Sequence, residues 1–338
     1  MIFRYELRKM LFCRRGLIIP VLICLQIALS FFRPQEEHDY SVEVYRKYTS
    51  EYEGTYSTRT GDVFRLKKAN AEALIAEHAS VVDRYNADEM TLEEFHEYNL
   101  KYTVAKNELS ALSRIVDRCD YYESLNGETF LFFDTEWEDF FSSGGFDYLI
   151  AIGVLVLAIP VFCGEYSSGA RSVLISSCRG RRETAAVKLL SVAVFSLLFS
   201  LIMYAVKAAP LLCGESGRFG SLPVYSLPGF RDAGDASMLM YYCMQSVIRA
   251  FAWVEIAVFV CAVSVMTRSQ VSAFFIAFVF TVCPAVAGKM FSASALPCIF
   301  SAALIPVGDV SMAAAFIPAV KTAFLSAYCV HVWSGNDR

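Results

Sequence analysis

No Gly-x-x-x-x-Gly-Lys-Ser/Thr loop occurs in the 338 residues, so the chain cannot cradle nucleotide phosphates in that way. The nearest approach, Gly288-Lys289, lacks both the first glycine and the following hydroxyl. A Gly-x-Ser-x-Gly elbow and a His-Glu-x-x-His helix are missing too, which argues against membrane hydrolases of those kinds. Histidine is scarce and scattered (His38, His78, His96, His331), and no cysteine pair stands at metal-ligand spacing, so a zinc site has no support. Charged side chains make up only 19% of the chain against 56% hydrophobic ones, more apolar surface than a soluble fold of this size needs to bury. Cysteine is plentiful at eleven, but Cys24, Cys163, Cys261, Cys283, Cys298 and Cys329 lie inside apolar runs. They read as small hydrophobes and not as a disulfide scaffold.

What is present is a series of apolar runs. A membrane helix needs roughly 20 mostly apolar residues to cross about 30 Å of hydrocarbon. Leu17 to Phe32, Tyr148 to Cys163, Leu189 to Val206, Phe251 to Met266 and Val271 to Gly288 meet or approach that length. A final apolar region, Met290 to Trp333, holds Pro297, Pro306, Pro318, Asp309 and Lys321. One span over Met312 to Trp333, preceded by a re-entrant or interfacial piece, suits it better than two crossings. The expectation is an all-α, polytopic membrane protein with about six transmembrane helices. For the first run a cleaved signal peptide is the rival reading, since Ala28 and Ser30 form a small-x-small pair; the run's continuation to Phe32 and its long charged leader weigh against it.

The net charge of −4 conceals a separation: acids crowd one long polar segment, while Arg and Lys crowd the short segments between apolar runs. That pattern speaks of topology and not of nucleic acid. Cytoplasmic loops retain positive charge. The leader 1–16, with Arg4, Arg8, Lys9, Arg14 and Arg15, and the loop 164–188, with Arg171, Arg179, Arg181, Arg182 and Lys188, therefore belong inside, two crossings apart, and Arg268 falls on the same side. The sequence thus divides into that leader, a first transmembrane helix 17–32, an exterior segment 33–147, a transmembrane domain 148–333 and a tail 334–338. The expected location is the plasma membrane, multi-pass, with the N-terminus cytoplasmic.

The exterior segment reads as a helical hairpin. Thr91 with Glu94 three residues on is a capping-box start. Apolar positions then recur at Phe95, Tyr98, Tyr102, Ala105, Leu109, Leu112, Val116 and Cys119, a heptad seam. Upstream, Ala71, Leu74, His78, Val81 and Tyr85 keep the same rhythm, with Asn86 to Met90 as the turn. Such a domain could bind a ligand or partner; the plainer reading is two helices packed on each other with solvated outer charges. Between Phe130 and Phe141, aromatics alternate with Asp134, Glu136, Glu138 and Asp139, which suggests an amphipathic helix at the membrane interface in preference to a substrate-binding aromatic patch. Cys119 and Cys213 are both expected outside, where pairing is open to them, although nothing in the sequence brings them together.

The most specific stretch is the loop after the second span. It opens with Glu165 at the membrane exit, reaches Gly169 four residues later, carries Val173, Leu174 and Ile175, and ends in Arg179-Gly180-Arg181-Arg182 before Lys188. A short helix lying on the inner surface, its basic side chains toward headgroups or an acidic partner, follows from that pattern. In the order of these elements the sequence resembles the type-2 ABC transporter permeases, whose usual pattern is a membrane-exit Glu, a Gly four residues on, a Leu-Ile-Ser/Thr stretch, a Gly-Arg and a Lys opening the next helix. Those roles would fall on Glu165, Gly169, Leu174 to Ser177, Gly180-Arg181 and Lys188. The resemblance extends to the leader Arg4-Tyr5-Glu6-Leu7-Arg8-Lys9, the exterior insertion and the segment around Trp137. It departs at the end, where the last region is proline-interrupted and closes on Ser334 to Arg338, the mark of a diverged or truncated ending.

The resemblance implies a subunit that dimerises in the bilayer with a second copy or a paralogue and docks a cytoplasmic ABC ATPase through Glu165, Gly169, Leu174, Arg179, Gly180, Arg181, Arg182 and Lys188. It would export a peptide, drug or lipid-like molecule. The chain would then be no enzyme and hold no cofactor or metal of its own, ATP being bound by the partner. The alternative is a membrane-anchored sensor or accessory protein whose exterior helical domain binds a ligand. Within the membrane, Glu255 and Arg249 form a candidate polar site; six residues apart on one helix, they do not share a face. Lys321 would lie deeper if the last span is real, and an unpaired lysine there would be a reason to doubt that span.

Overall fold

The computed structural model describes residues 2–12, 16–32, 38–125, 127–142, 146–171, 174, 182–231, 233–291 and 312–335. In chain order the elements begin α1 (Ile2–Phe12), α2 (Ile18–Phe31), α3 (Val42–Glu51), β1 (Gly54–Thr55), α4 (Thr58–Asn86), α5 (Leu92–Glu123), β2 (Phe130–Leu131) and α6 (Thr135–Ser142). They continue as α7 (Tyr148–Ser167), α8 (Arg182–Cys213), three short 3-10 turns within 215–230, α9 (Met238–Thr267), α10 (Gln270–Phe291) and α11 (Met312–Gly335). The class is all-α; β1 and β2 are a two-residue antiparallel pair, Gly54 opposite Leu131. Two compact units divide the chain: Met1–Arg33, Ser142–Cys213 and Leu239–Arg338 form the first, and Pro34–Phe141 with Gly214–Met238 the second.

The first unit is a helix bundle with a continuous apolar core. α1, α2 and α11 pack on α8, and α10 packs on α7. Among the described residues three helices are long and apolar enough to cross a membrane, α7, α8 and α9, the last two running well beyond the expected 189–206 and 251–266. The expectation of about six is not met on these criteria. α2 has 14 residues, about 21 Å of helix, and in α10 the apolar stretch is Gln270–Cys283. Gly153 shows how closely α7 and α8 approach: a Cβ there would run into the Phe199 ring. Three hydrogen bonds tie α8 to α9 within the bundle. Trp253 Nε1 donates to Tyr204 Oη at 2.9 Å, Tyr242 Oη donates to the Tyr204 carbonyl at 2.8 Å, and Ser196 Oγ donates to the Trp253 carbonyl at 3.0 Å.

The second unit is organised by α4 and α5, which lie along each other. Ala105, Leu112, Val116 and Cys119 of the heptad seam are buried, as are Ala71 and Val81 opposite. Rings pair across the seam, His78 with Tyr102 at 3.7 Å and Tyr85 with Phe95 at 4.1 Å, and Tyr98 Oη donates to the Leu74 carbonyl at 2.6 Å. The capping box at Thr91 is formed in both directions. Asp88, at φ +58, takes the left-handed conformation inside the turn between the two helices, which a short polar side chain tolerates.

The aromatic segment corrects one expectation. Phe132, Phe133, Trp137, Phe140 and Phe141 are all buried inside the second unit and do not form an open amphipathic face. Trp137 Nε1 donates to the Ser216 carbonyl at 2.8 Å, which fastens the 3-10 segment to α6. The interleaved acids have partners as well: Arg118, 1% exposed, pairs with Asp134 and with Glu138 at 3.1 Å, and Tyr45 Oη donates to Asp134 at 2.8 Å.

Candidate functional site

α7 delivers Glu165 in its last turn. The helix then stops, the Ser168 N–H bonding back to the Gly164 carbonyl at 3.1 Å, and Gly169 adopts φ +69, a left-handed conformation that suits glycine after a helix end. A carboxylate beside the negative end of a helix dipole is unfavourable by itself. Lys188 offsets it. Two turns into α8 and fully buried, its ammonium pairs with Glu165 and also donates to Glu6 of α1 at 3.1 Å. Lys9, half exposed, stands 3.8 Å from Glu165 and completes a set of two acids and two bases. One oxygen of Glu165, Oε2, has no hydrogen-bond partner among the described residues. Glu6 and Glu165 are both almost fully buried, so the set is held in a low dielectric, where removing a single member leaves an uncompensated charge.

Beside this cluster is a second one, built of rings and guanidinium groups. Trp333 near the end of α11 meets Phe162 at 5.1 Å and Tyr166 at 5.5 Å, both edge to face. Arg171 lies 5.0 Å from the Tyr166 ring and 5.4 Å from that of Trp333, and Arg268, at φ +54 between α9 and α10, lies 5.5 Å from Tyr166. Cation–π contacts of this kind tie the ends of α7, α9 and α11 together.

Of the residues singled out from the sequence, Glu165 and Lys188 are brought together and Gly169 ends the helix that carries the acid. Leu174 is half-buried, and Arg182 is exposed at the first position of α8. Arg179, Gly180 and Arg181 lie outside the described residues. Glu255 is 1% exposed in α9, and its partner is Lys321 of α11 at 3.5 Å. Lys321 is therefore not an unpaired lysine. Arg249 is buried one and a half turns earlier, in the charge neighbourhood of Tyr204 and Tyr242. Cys119 and Cys213 are each free thiols.

Sequence reasoning passed over Glu6, and a signal for it existed: it is the only acid ahead of Glu36 in an otherwise basic leader. Nothing comparable marks Trp333 or Arg171, whose roles arise from the meeting of helix ends far apart in the chain. Outside the bundle, ionisation is shifted by specific partners. Burial pushes the Cys119 thiol up to about 11, and burial followed by the hydrogen bond to Glu108 pushes Tyr48 up to about 12. Hydrogen bonds from Arg65 and Tyr56 hold Glu123 below the usual carboxylate range. Among the described residues no group of three or more His, Cys, Asp or Glu is placed to hold a metal ion. No family model, curated protein or solved structure matches the chain.

Proposed function

We propose that this chain is the membrane subunit of an exporter driven by a separate cytoplasmic ABC-type ATPase. In this reading α2, α7, α8, α9, α10 and α11 are six crossings of the plasma membrane. The leader and the loop 164–188 lie in the cytoplasm, the second unit lies outside as a helical domain, and the subunit works as a dimer with a copy or a paralogue. The observation that carries the reading is the burial of Lys188 between Glu6 and Glu165. Those three residues root the loop at both of its ends and fasten the leader helix to the same point. A push on the loop would thus reach α1, α7 and α8 together. The chain contributes no nucleotide-binding loop, so the energy must come from the partner. The substrate class that suits such a path is a peptide, drug or lipid-like molecule.

Co-expression with an ATPase from a neighbouring gene tests this reading. Replacing Arg181 and Arg182 with Glu is expected to weaken co-purification of the ATPase while leaving membrane insertion intact. Lys188→Met is expected to leave docking in place but to remove the stimulation of ATP hydrolysis by the membrane subunit. Unchanged co-purification after the charge reversal, or labelling of the loop by a reagent applied outside intact cells, would sink the proposal. A neighbouring histidine kinase that binds the chain instead would favour the sensor.

A further inference from the structure

A groove of about 580 Å³ runs between α8 and α11, with Val258 of α9 in its floor. The two helices are antiparallel here, so the chemistry of the walls is sorted along the length. Arg182, His331 and Ser334 gather where α8 begins and α11 ends; Leu189 and Ala193 follow, and Thr322 closes the other end. Arg182 and Ala193 are separated by about 16 Å of helix. Among the described residues no acid lines the groove, and the ammonium of Lys321, next to Thr322, is held by Glu255. The opening is lateral: Leu190 in the wall is 55% exposed, and Phe324 on α11 is 74% exposed. Apolar side chains left bare on helices of this composition face hydrocarbon and not water.

An occupant must therefore enter from the hydrocarbon side, present an apolar tail to Leu189, Ala193 and Val258, and place negative charge against Arg182 and His331. We propose that the groove binds one anionic phospholipid, its phosphate at Arg182, His331 and Ser334 and one acyl chain along the apolar run. Basic pockets between membrane helices take such headgroups because the guanidinium and imidazole N–H groups can donate to phosphate oxygens in a poorly hydrated setting. The inference is independent of the exporter reading, since a lipid seated here joins α8 to α11 whether or not anything is transported.

The test uses the purified full chain in detergent without any ATPase, so that loss of docking is not mistaken for loss of lipid. Native mass spectrometry would count phosphatidylglycerol and phosphatidylcholine retained from equimolar mixtures, and thermal midpoints would be followed as each lipid is added. Wild type is expected to retain phosphatidylglycerol preferentially and to be stabilised by it. Arg182→Gln and His331→Gln, both at exposed positions, are each expected to weaken that preference, by about fivefold for the arginine. Ala193→Phe, which fills the apolar run, is expected to remove retention of both lipids; if it fails to insert, Ala327→Phe in the facing wall serves the same purpose. Equal retention of the two lipids by wild type, full retention in both groove-filling variants, or an equal thermal shift from inorganic phosphate alone would overturn the proposal.

Discussion

Both units bury a charged cluster, and the two clusters are built differently. In the second unit Arg118 is sealed from solvent and faces Asp134 and Glu138, with Tyr45 donating to the same aspartate. In the bundle Lys188 is equally sealed, but its acid Glu165 has another base, Lys9, half exposed and 3.8 Å away. Each cluster also has a second, more exposed cation: Arg114 donates to Glu138 in the second unit, while Lys9 only stands within ion-pair range of Glu165. The first cluster therefore ties α5 to α6 through two arginines, and Tyr45 ties α3 to Asp134. In the bundle Glu165 Oε2 has no hydrogen-bond partner among the described residues, so Lys9 has an acceptor to move to.

The sharpest way to break this comparison is to delete each central cation. Arg118→Met leaves the buried Asp134 without a cation, Glu138 keeping Arg114, and is expected to destabilise the second unit by about 3–5 kcal/mol, read as loss of amide protection in hydrogen exchange across α5 and α6. Lys188→Met leaves Glu6 without its cation and is expected to cost about 1–3 kcal/mol, read the same way across α7 and α8, because Lys9 can move onto Glu165. Equal losses would show that Lys9 does not take the place of Lys188.

Packing gives the next contrast. Gly153→Val would press a side chain into the Phe199 ring and is expected to lower bundle stability by about 1–3 kcal/mol in a detergent thermal scan, with partial recovery in the Gly153→Val, Phe199→Leu double variant. In the helical pair α4 and α5 the start of the second helix is fixed by a cap. Thr91→Ala removes the capping box and should cost about 1 kcal/mol, read as fraying of the first turn of α5 by hydrogen exchange.

The smallest effect is a pH dependence confined to the second unit. The unfolded chain releases thiol protons from about pH 8.5, whereas Cys119 in the fold holds its proton to about 11. Stability conferred by the neutral thiol is complete below that lower value and declines as pH rises through the window, because the unfolded state then binds fewer protons. Cys119→Ala should flatten the decline, measured as the midpoint of unfolding between pH 8 and 11. An unaltered slope would assign the decline to other groups, Tyr48 among them.

The seam from Phe95 to Cys119 was readable because it is local: the period and the cap lie within one stretch of chain, and the same residues face α4 in the fold. Glu165 and Lys188 were readable one at a time as members of a motif. Their pairing was not, because 23 residues separate them and they lie on two different helices. The partner of Lys321 was hidden for the same reason, Glu255 being supplied by another helix. Around Trp137 the alternation of rings and acids has the same appearance whether the acids meet water or buried arginines, so periodicity alone assigned it to a membrane surface. The apolar run also overstated the length of α2, where the helix has only 14 residues.

The second unit is assembled from two separate excursions of the chain, 34–141 and 214–238, with α7 and α8 between them. Its Trp137 stays without the Ser216 carbonyl, and its Tyr121 without the Tyr225 carbonyl, until the later excursion has been synthesised. A ribosome must therefore deliver two long apolar helices before this polar unit can close. A chain stalled after α8 would display an unfinished aromatic core, a surface that chaperones and proteases recognise.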